Sequence, residues 1–261
     1  VKPTLAFVKS IAAQAGDIVQ NFAGDLKIEH KSRTDLVTQA DHQSEQFLIN
    51  AIQATFPDHA IIAEESGEWE GAAEHQWFID PLDGTLNYAH GVPIYCLSIG
   101  YAYQGVMTLG VVYDPTRGEF FCAERGRGAT LNGKPLHVSE FTELIDGMLA
   151  TGFPKAAEDS RNNNLANFIR FTQVAQSVRR IGSAALTIAY VAAGRLEGFW
   201  EVSIWPWDIA AGALIVEEAG GRVTNAYGDP DYMQKPISFV CANPAIHPKM
   251  LAVLAEVRQA R

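Results

Sequence analysis

Residues 77–85 read Trp77-Phe78-Ile79-Asp80-Pro81-Leu82-Asp83-Gly84-Thr85. Trp77 to Ile79 has the length and apolarity of a buried strand, Asp80-Pro81 ends it, and Gly84-Thr85 opens a short helix. Strand ends and helix starts are rigid, so two acids three apart can converge there. N–H groups at a helix start, with the dipole behind them, favour an anion. By itself this turn has two readings. It is a site that holds cations with carboxylates and a phosphate with backbone, or it is an acid-rich turn that caps a helix.

The flanking segments extend the pattern. Ala60 to Ala63 is a second short apolar run, and it ends in Glu64-Glu65, so two predicted strands deliver carboxylates at their C-terminal ends. Upstream, Leu5, Val8, Ala12, Ala15, Val19 and Phe22 recur at helical spacing. Phe47, Leu48, Ala51, Ile52 and Phe56 share one face of a helix that starts near Asp41 and stops before Pro57. Downstream, Tyr95, Leu97, Ile99, Tyr101 and Tyr103 alternate with Cys96, Ser98, Gly100 and Ala102, which is the period of a strand. Val106 to Tyr113 and Glu119 to Ala123 continue it across turn signals, giving an antiparallel run.

The second half mixes element types. Asn164 to Ala175 is predicted as a helix with Leu165, Phe168, Ile169 and Thr172 on one face. Ser183 to Ala193 is a small-residue helix stopped by Gly194. Leu196 to Val202 and Ile237 to Cys241 are strands, and Pro206 to Ala219 and Pro244 to Val257 are helices. Helices interleaved with strands predict a layered α+β fold, not a bundle. We find no internal repeat and no linker, so residues 1–261 are expected to form one unit. Two lobes, 1–150 and 151–261, would meet near Gly147 to Pro154.

Two further acids belong to the argument. Asp208 lies in the first turn of an otherwise apolar helix, in Trp207-Asp208-Ile209-Ala210-Ala211-Gly212. Asp35-Leu36-Val37-Thr38 leads to Asp41, with Lys31 upstream. Taken singly, each reads as a capping or dipole-stabilising acid. Acids from several element ends would together make an oxygen cage for a hard divalent cation.

Charge placement agrees. The 261 residues carry 20 Lys and Arg against 30 Asp and Glu, a net charge of −10. Residues 1–150 hold −11 of it and the remainder +1. No Lys or Arg occurs between Arg33 and Arg117, a stretch with 12 acids. Such a region repels nucleic-acid backbones and anionic membranes, and neither is expected as a partner. No apolar run is long enough to span a membrane, and Lys9 interrupts any signal-peptide core. Cys96, Cys122 and Cys241 are odd in number and far apart, so a disulfide framework is not expected and a reducing, cytoplasmic setting is. The seven histidines show no zinc-ligand spacing.

Four elements in this order resemble the inositol monophosphatase family of Mg²⁺-dependent, lithium-sensitive phosphatases. The family's first motif is similar to Trp77 through Thr85, and its second to Trp207 through Gly212. The resemblance implies the layered α-β-α-β-α sugar-phosphatase sandwich, with mixed and antiparallel sheets, and a homodimer. It implies hydrolysis of a sugar or polyol phosphate, foremost myo-inositol monophosphate, by a metal-activated water. Two to three Mg²⁺ ions are expected. Glu64, Asp80 and the Leu82 carbonyl would bind the first; Asp80, Asp83 and Asp208 the second. A third, weaker ion would sit near Glu64 and Asp41, mostly through water. Thr85, oriented with Asp41, would help activate the water, and the Gly84 and Thr85 N–H groups would bind phosphate. Glu201 would contact substrate hydroxyls, Ala184 would stand at the pocket wall, and Asp83 and Asp208 would also meet the substrate, with Glu65 outside the direct ligands. Ala63, Leu86 and Pro206 depart from the usual pattern without removing a ligand.

Related family members act on fructose bisphosphate, adenosine bisphosphates or histidinol phosphate, and these stay open as substrates. Arg179 and Arg180 could meet a second phosphate. A regulatory or binding role on the same fold is the alternative of another class. An aspartyl-phosphate route is not expected, since Pro81 and Leu82 separate acids that such enzymes space by one residue.

Overall fold

The computed structural model describes residues 1–22, 28–30, 36–153 and 163–260. Lys31, Asp35 and Pro154 lie outside these. In the first part of the chain come α1 (Leu5–Asn21), β1 (Ile28–His30), β2 (Leu36–Thr38), α2 (Gln39–Thr55), β3 (His59–Ala63), β4 (Gly67–Trp69), β5 (Ala72–Asp83) and α3 (Thr85–Ala89). An antiparallel run follows: β6 (Cys96–Tyr103), β7 (Val106–Asp114), β8 (Glu119–Glu124), β9 (Ala129–Leu131) and β10 (Lys134–Pro135). The rest comprises β11 (Met148–Thr151), α4 (Leu165–Val174), β12 (Ser177–Arg179), α5 (Ala184–Ala192), β13 (Gly198–Glu201), α6 (Pro206–Glu218), β14 (Arg222–Thr224), β15 (Phe239–Ala242) and α7 (His247–Gln259).

Five layers result. An eight-stranded sheet runs β10-β9-β8-β7-β6-β5-β3-β4, antiparallel except for β3 against β5. A five-stranded sheet runs β12-β11-β13-β15-β14, with β11 parallel to both its neighbours. Helices α1 and α2 cover the outer face of the large sheet, where Val8, Ile11, Leu48 and Ile52 bury against Trp77, Ile79, Leu97 and Tyr101. Helices α5 and α6 lie between the sheets, packed on β6 and β7 on one side and on β13, β14 and β15 on the other. Helices α4 and α7 close the far side over Leu149, Trp200 and Val240. The alternation in β6 is therefore real, but both faces are buried: Leu97, Ile99 and Tyr101 face the outer helices, and Cys96 and Ala102 face the central pair. Such a strand, covered on both sides, needs apolar or small residues throughout.

Close approach of α6 depends on glycine. Gly100 of β6 and Gly110 of β7 are cross-strand partners. A Cβ on Gly110 would lie 2.6 Å from the Ala211 carbonyl oxygen. The hollow they leave lets the start of α6, and with it Asp208, sit against the sheet.

Three expectations need correction. The strand from Trp77 does not end at Asp80-Pro81; β5 continues to Asp83, with its pairing to β6 shifted between Asp80 and Asp83. The second half holds more strand than the periodicity suggested, because β11, β12 and β14 are only three or four residues long. Helix α4 also turns a different face inward. Asn167 and Phe171 are buried, while Leu165 and Ile169 are 51% and 58% exposed and Thr172 is exposed too. The cause is polar. Asn164 at the helix start donates to Thr151 Oγ1 at 2.8 Å and accepts from Trp200 Nε1 at 2.8 Å. That buried amide network sets the rotation of α4 against the hydrophobic pattern.

Candidate active site

Four of the acids singled out above, Asp41, Asp80, Asp83 and Asp208, sit at element ends, and each gives one oxygen to the backbone. At the start of α2, Asp41 and Thr38 form a reciprocal capping box: Asp41 Oδ2 accepts from the Thr38 N–H at 2.8 Å. At the start of α6, Pro206 occupies the first turn and Asp208 Oδ2 accepts from the Trp205 N–H at 3.0 Å. At the end of β5, Asp80 Oδ1 accepts from the Leu82 N–H at 2.9 Å. Asp83 reaches across to the other half of the chain. Its Oδ2 accepts from Ser183 Oγ at 2.6 Å and from the Ala185 N–H at 2.7 Å, where α5 begins. Each bond holds the carboxylate by one oxygen and does not need the other. The capping role and a role as ligand are therefore compatible.

Asp80, Asp83 and Asp208 converge. One carboxylate oxygen of each lies within 4.8 Å of the other two. Burial pushes all three pKa values up, and neighbouring carboxylates push further on two: Glu64, Asp83 and Asp208 on Asp80, and Asp83 and Glu64 on Asp208. Asp83 is pulled partly back by its Ser183 and backbone donors. Three acids that resist ionising together need a proton or a cation between them. An all-oxygen donor set of this charge fits a hard divalent ion such as Mg²⁺. Glu64 follows β3, its N–H bonded to the Ile79 carbonyl, and it faces the cluster closely enough to act on Asp80 and Asp208.

Beside the cluster is a hydroxyl–carboxylate pair. Thr85 Oγ1 lies 3.0 Å from Asp41 Oδ1 and 3.0 Å from the Leu82 carbonyl oxygen. Asp41 is fully buried, and desolvation lifts its pKa to about 6 against the pull of its Thr38 and Thr85 donors. Gly84 takes the left-handed conformation, φ 99°, at the cap of α3. A side chain there would also press on Tyr95, so the turn that presents Thr85 requires glycine. Behind it, Leu82, Tyr88 and Tyr95 pack on Val19 and Ala40, and Tyr88 Oη donates to the Val19 carbonyl at 2.6 Å.

On the far wall, Ala184 opens α5 beside Asp83. Glu201 ends β13 and is 9% exposed. Its pKa rises to about 8, from burial first and then Asp83, with Arg180 opposing. Arg180 is also held over the Phe153 ring at 5.3 Å. Trp207 carries its indole against that of the exposed Trp205, centroids 5.2 Å apart.

Several small polar residues were missed as site-builders. Ser44 Oγ donates to the Pro81 carbonyl at 3.1 Å, and Ser98 Oγ to the Trp207 carbonyl at 3.0 Å. Asn87 Nδ2 bonds the carbonyls of Ile94 and Ile181, each at 2.9 Å, and so ties α3 to the turn before α5. Ser98 did carry a signal: it is a polar residue on a strand face otherwise made of Cys96, Gly100 and Ala102. Cys96, Cys122 and Cys241 are all buried and free. Among the described residues no helix is long and apolar enough to cross a membrane.

The model of the Inositol monophosphatase family matches residues 1–259. An inositol-1-monophosphatase from Synechocystis is 42% identical over 254 residues, covering 96% of this chain and 88% of the relative. A Nus factor SuhB from Pseudomonas aeruginosa is 42% identical over 245 residues, 90% of each chain. The structure of inositol monophosphatase from Anabaena superposes with a TM-score of 0.88 at 40% identity, over 97% of this chain and 95% of that one. With the expected layers formed and Asp80, Asp83 and Asp208 brought together, likeness over nearly the full length shows that this chain belongs to the inositol monophosphatase family.

Proposed function

We propose that this member of a phosphatase family hydrolyses the phosphate monoester of a polyol, foremost myo-inositol monophosphate, with Mg²⁺. The observation that carries the proposal is the Asp80, Asp83 and Asp208 cluster beside the Thr85–Asp41 pair. Glu64, Asp80 and the Leu82 carbonyl would hold one ion, and Asp80, Asp83 and Asp208 a second. A third would sit near Glu64 and Asp41. Bound Mg²⁺ would neutralise phosphoryl oxygens and stabilise the departing alkoxide.

The chain's own groups supply the rest. The Thr85 hydroxyl has one proton and two acceptors within reach. Donated to Asp41 Oδ1, that proton leaves a Thr85 lone pair to take a hydrogen bond from an attacking water. With its pKa near 6, Asp41 is mostly ionised at neutral pH and able to accept. The N–H groups of Gly84 and Thr85 would bind the phosphate at the start of α3. Ala184 and Glu201 would line the alcohol side. Protonated at neutral pH, Glu201 both donates to and accepts from a hydroxyl. The unit works as residues 1–261, with 1–150 supplying most ligands and 151–261 supplying Asp208 and Glu201. A cytoplasmic homodimer, as the family resemblance implies, completes the reading; the exposed Leu165 and Ile169 of α4 offer an apolar face to a second copy.

A panel of sugar, polyol and nucleoside phosphates with Mg²⁺ tests it. Inositol monophosphate is expected to give the highest kcat/KM, and millimolar lithium to inhibit. Preference for a bisphosphate would move the assignment to another substrate of the same class and implicate Arg180. The likeness to Nus factor SuhB favours one second reading, a regulatory role carried by the same fold. Protein that binds Mg²⁺ but releases no phosphate from any of the panel would leave that reading standing alone.

A further inference from the structure

Ser183 occupies the cap position of α5, yet its hydroxyl makes no capping bond to its own helix. It is 2% exposed and turned toward the large sheet, where Asp83 Oδ2 lies 2.6 Å from Oγ. The capping work is done by Asp83 itself, which takes the Ala185 N–H from the other half of the chain. The helix end is thus satisfied without the serine. The other polar neighbour recorded for this hydroxyl is Cys96 Sγ at 3.7 Å, a weak partner.

We infer that Ser183 is a positioning residue for the divalent-ion site: its hydroxyl fixes the Asp83 carboxylate in the orientation that meets Asp80 and Asp208. The 2.6 Å length is that of a charge-assisted O–H···O⁻ bond. Without the hydroxyl, Asp83 keeps the Ala185 N–H at 2.7 Å, the neighbouring N–H groups at the start of α5 and a long Cys96 Sγ contact at 3.9 Å; the Ser183 hydroxyl adds the one strong side-chain donor and restricts the carboxylate from a second direction. The turn bearing Ser183 is itself tethered, because Asn87 of α3 holds the Ile181 carbonyl at 2.9 Å. The chain following the Asp-Gly-Thr turn therefore fixes the serine that fixes Asp83. Hydroxyls that orient a ligating carboxylate affect ion affinity about 10–100-fold when removed.

This rests on the reading of Asp80, Asp83 and Asp208 as an ion site, and the test separates the two. Mn²⁺ alone is titrated into metal-free protein, with bound ion followed by electron paramagnetic resonance. Wild type and Ser183→Thr are expected to bind alike, because both keep the hydroxyl. Ser183→Ala is expected to bind about 10–100-fold more weakly. In turnover assays its Mg²⁺ activation constant should rise by more than its kcat at saturating Mg²⁺ falls. If Ser183→Ala does not melt cooperatively, Ser183→Cys keeps the volume with a poorer donor and is expected to bind at an intermediate level. Wild-type Mn²⁺ affinity in the alanine variant, or in the cysteine variant where that one is used, would overturn the role of Ser183 alone. No Mn²⁺ binding by wild type would overturn both readings.

Discussion

Replacing Glu201 by glutamine isolates the cost of one buried acid. Burial raises its pKa from the ordinary 4.5 to about 8. An acid whose folded pKa lies above its unfolded one stabilises the fold most below the unfolded pKa. That contribution is lost as pH rises through the folded pKa. Each unit of difference corresponds to about 1.4 kcal/mol. Integrated over these two values, the loss reaches about 1 kcal/mol at pH 5 and about 3 kcal/mol at pH 7. The assay is urea unfolding of chelator-treated protein at both pH values, wild type against Glu201→Gln. The other raised acids are common to both proteins and largely cancel in the difference. Wild type is expected to lose about 2 kcal/mol more than the variant between pH 5 and pH 7. Parallel pH dependence would refute the reasoning, because it would mean that Glu201 finds water or a cation that the burial of its side chain denies it.

Other outcomes follow from the same geometry. Asp80→Asn is expected to abolish turnover while raising the melting temperature of the metal-free protein, since it removes the most buried of the mutually repelling acids. Added Mg²⁺ should then no longer raise that temperature, as calorimetry with and without the ion would check. Thr85→Ala should lower kcat more than it raises KM, and Thr85→Ser should restore kcat; equal kcat in all three would remove the hydroxyl from water activation. Gly110→Ala should cost about 1–3 kcal/mol in denaturant unfolding, because its Cβ meets the backbone of α6 and not a movable side chain.

The long elements of the first half were legible because their signals are local, whereas the short strands β1, β2, β4, β9 and β10 were not. Trp77 to Thr85 names a strand and a helix start within nine residues, though the strand runs on through Pro81 to Asp83, and β6 to β8 alternate cleanly. Of the small sheet only β13 and β15 were legible, as the runs Leu196 to Val202 and Ile237 to Cys241; β11, β12 and β14 were not, because a three-residue strand such as Ser177–Arg179 has too little length to show a period. Helix α4 was misread for a different reason. Its rotation is set by Asn164 reaching Trp200 across the core, a partner that no helical pattern reveals. At the site, the acids were readable as acids, but their holders were not. Ser183 looks like any small polar residue until helix docking brings it to Asp83, and the polar break that Ser98 makes in its strand face does not say that its partner is the Trp207 carbonyl.

The bond from Asp83 to α5 also bears on how the molecule assembles. The two bonded residues, Asp83 and Ala185, stand 102 apart in the chain. Closing so long a loop is slow and entropically costly, so this contact forms late, after the locally paired strands β6, β7 and β8. Until it forms, Asp83 lacks its anchor and the cluster is not assembled. A divalent ion would therefore have little affinity for partly folded chains and would act only on the final docking step. It should slow unfolding far more than it speeds folding. In the cell, such a protein would resist proteolysis in proportion to its supply of metal.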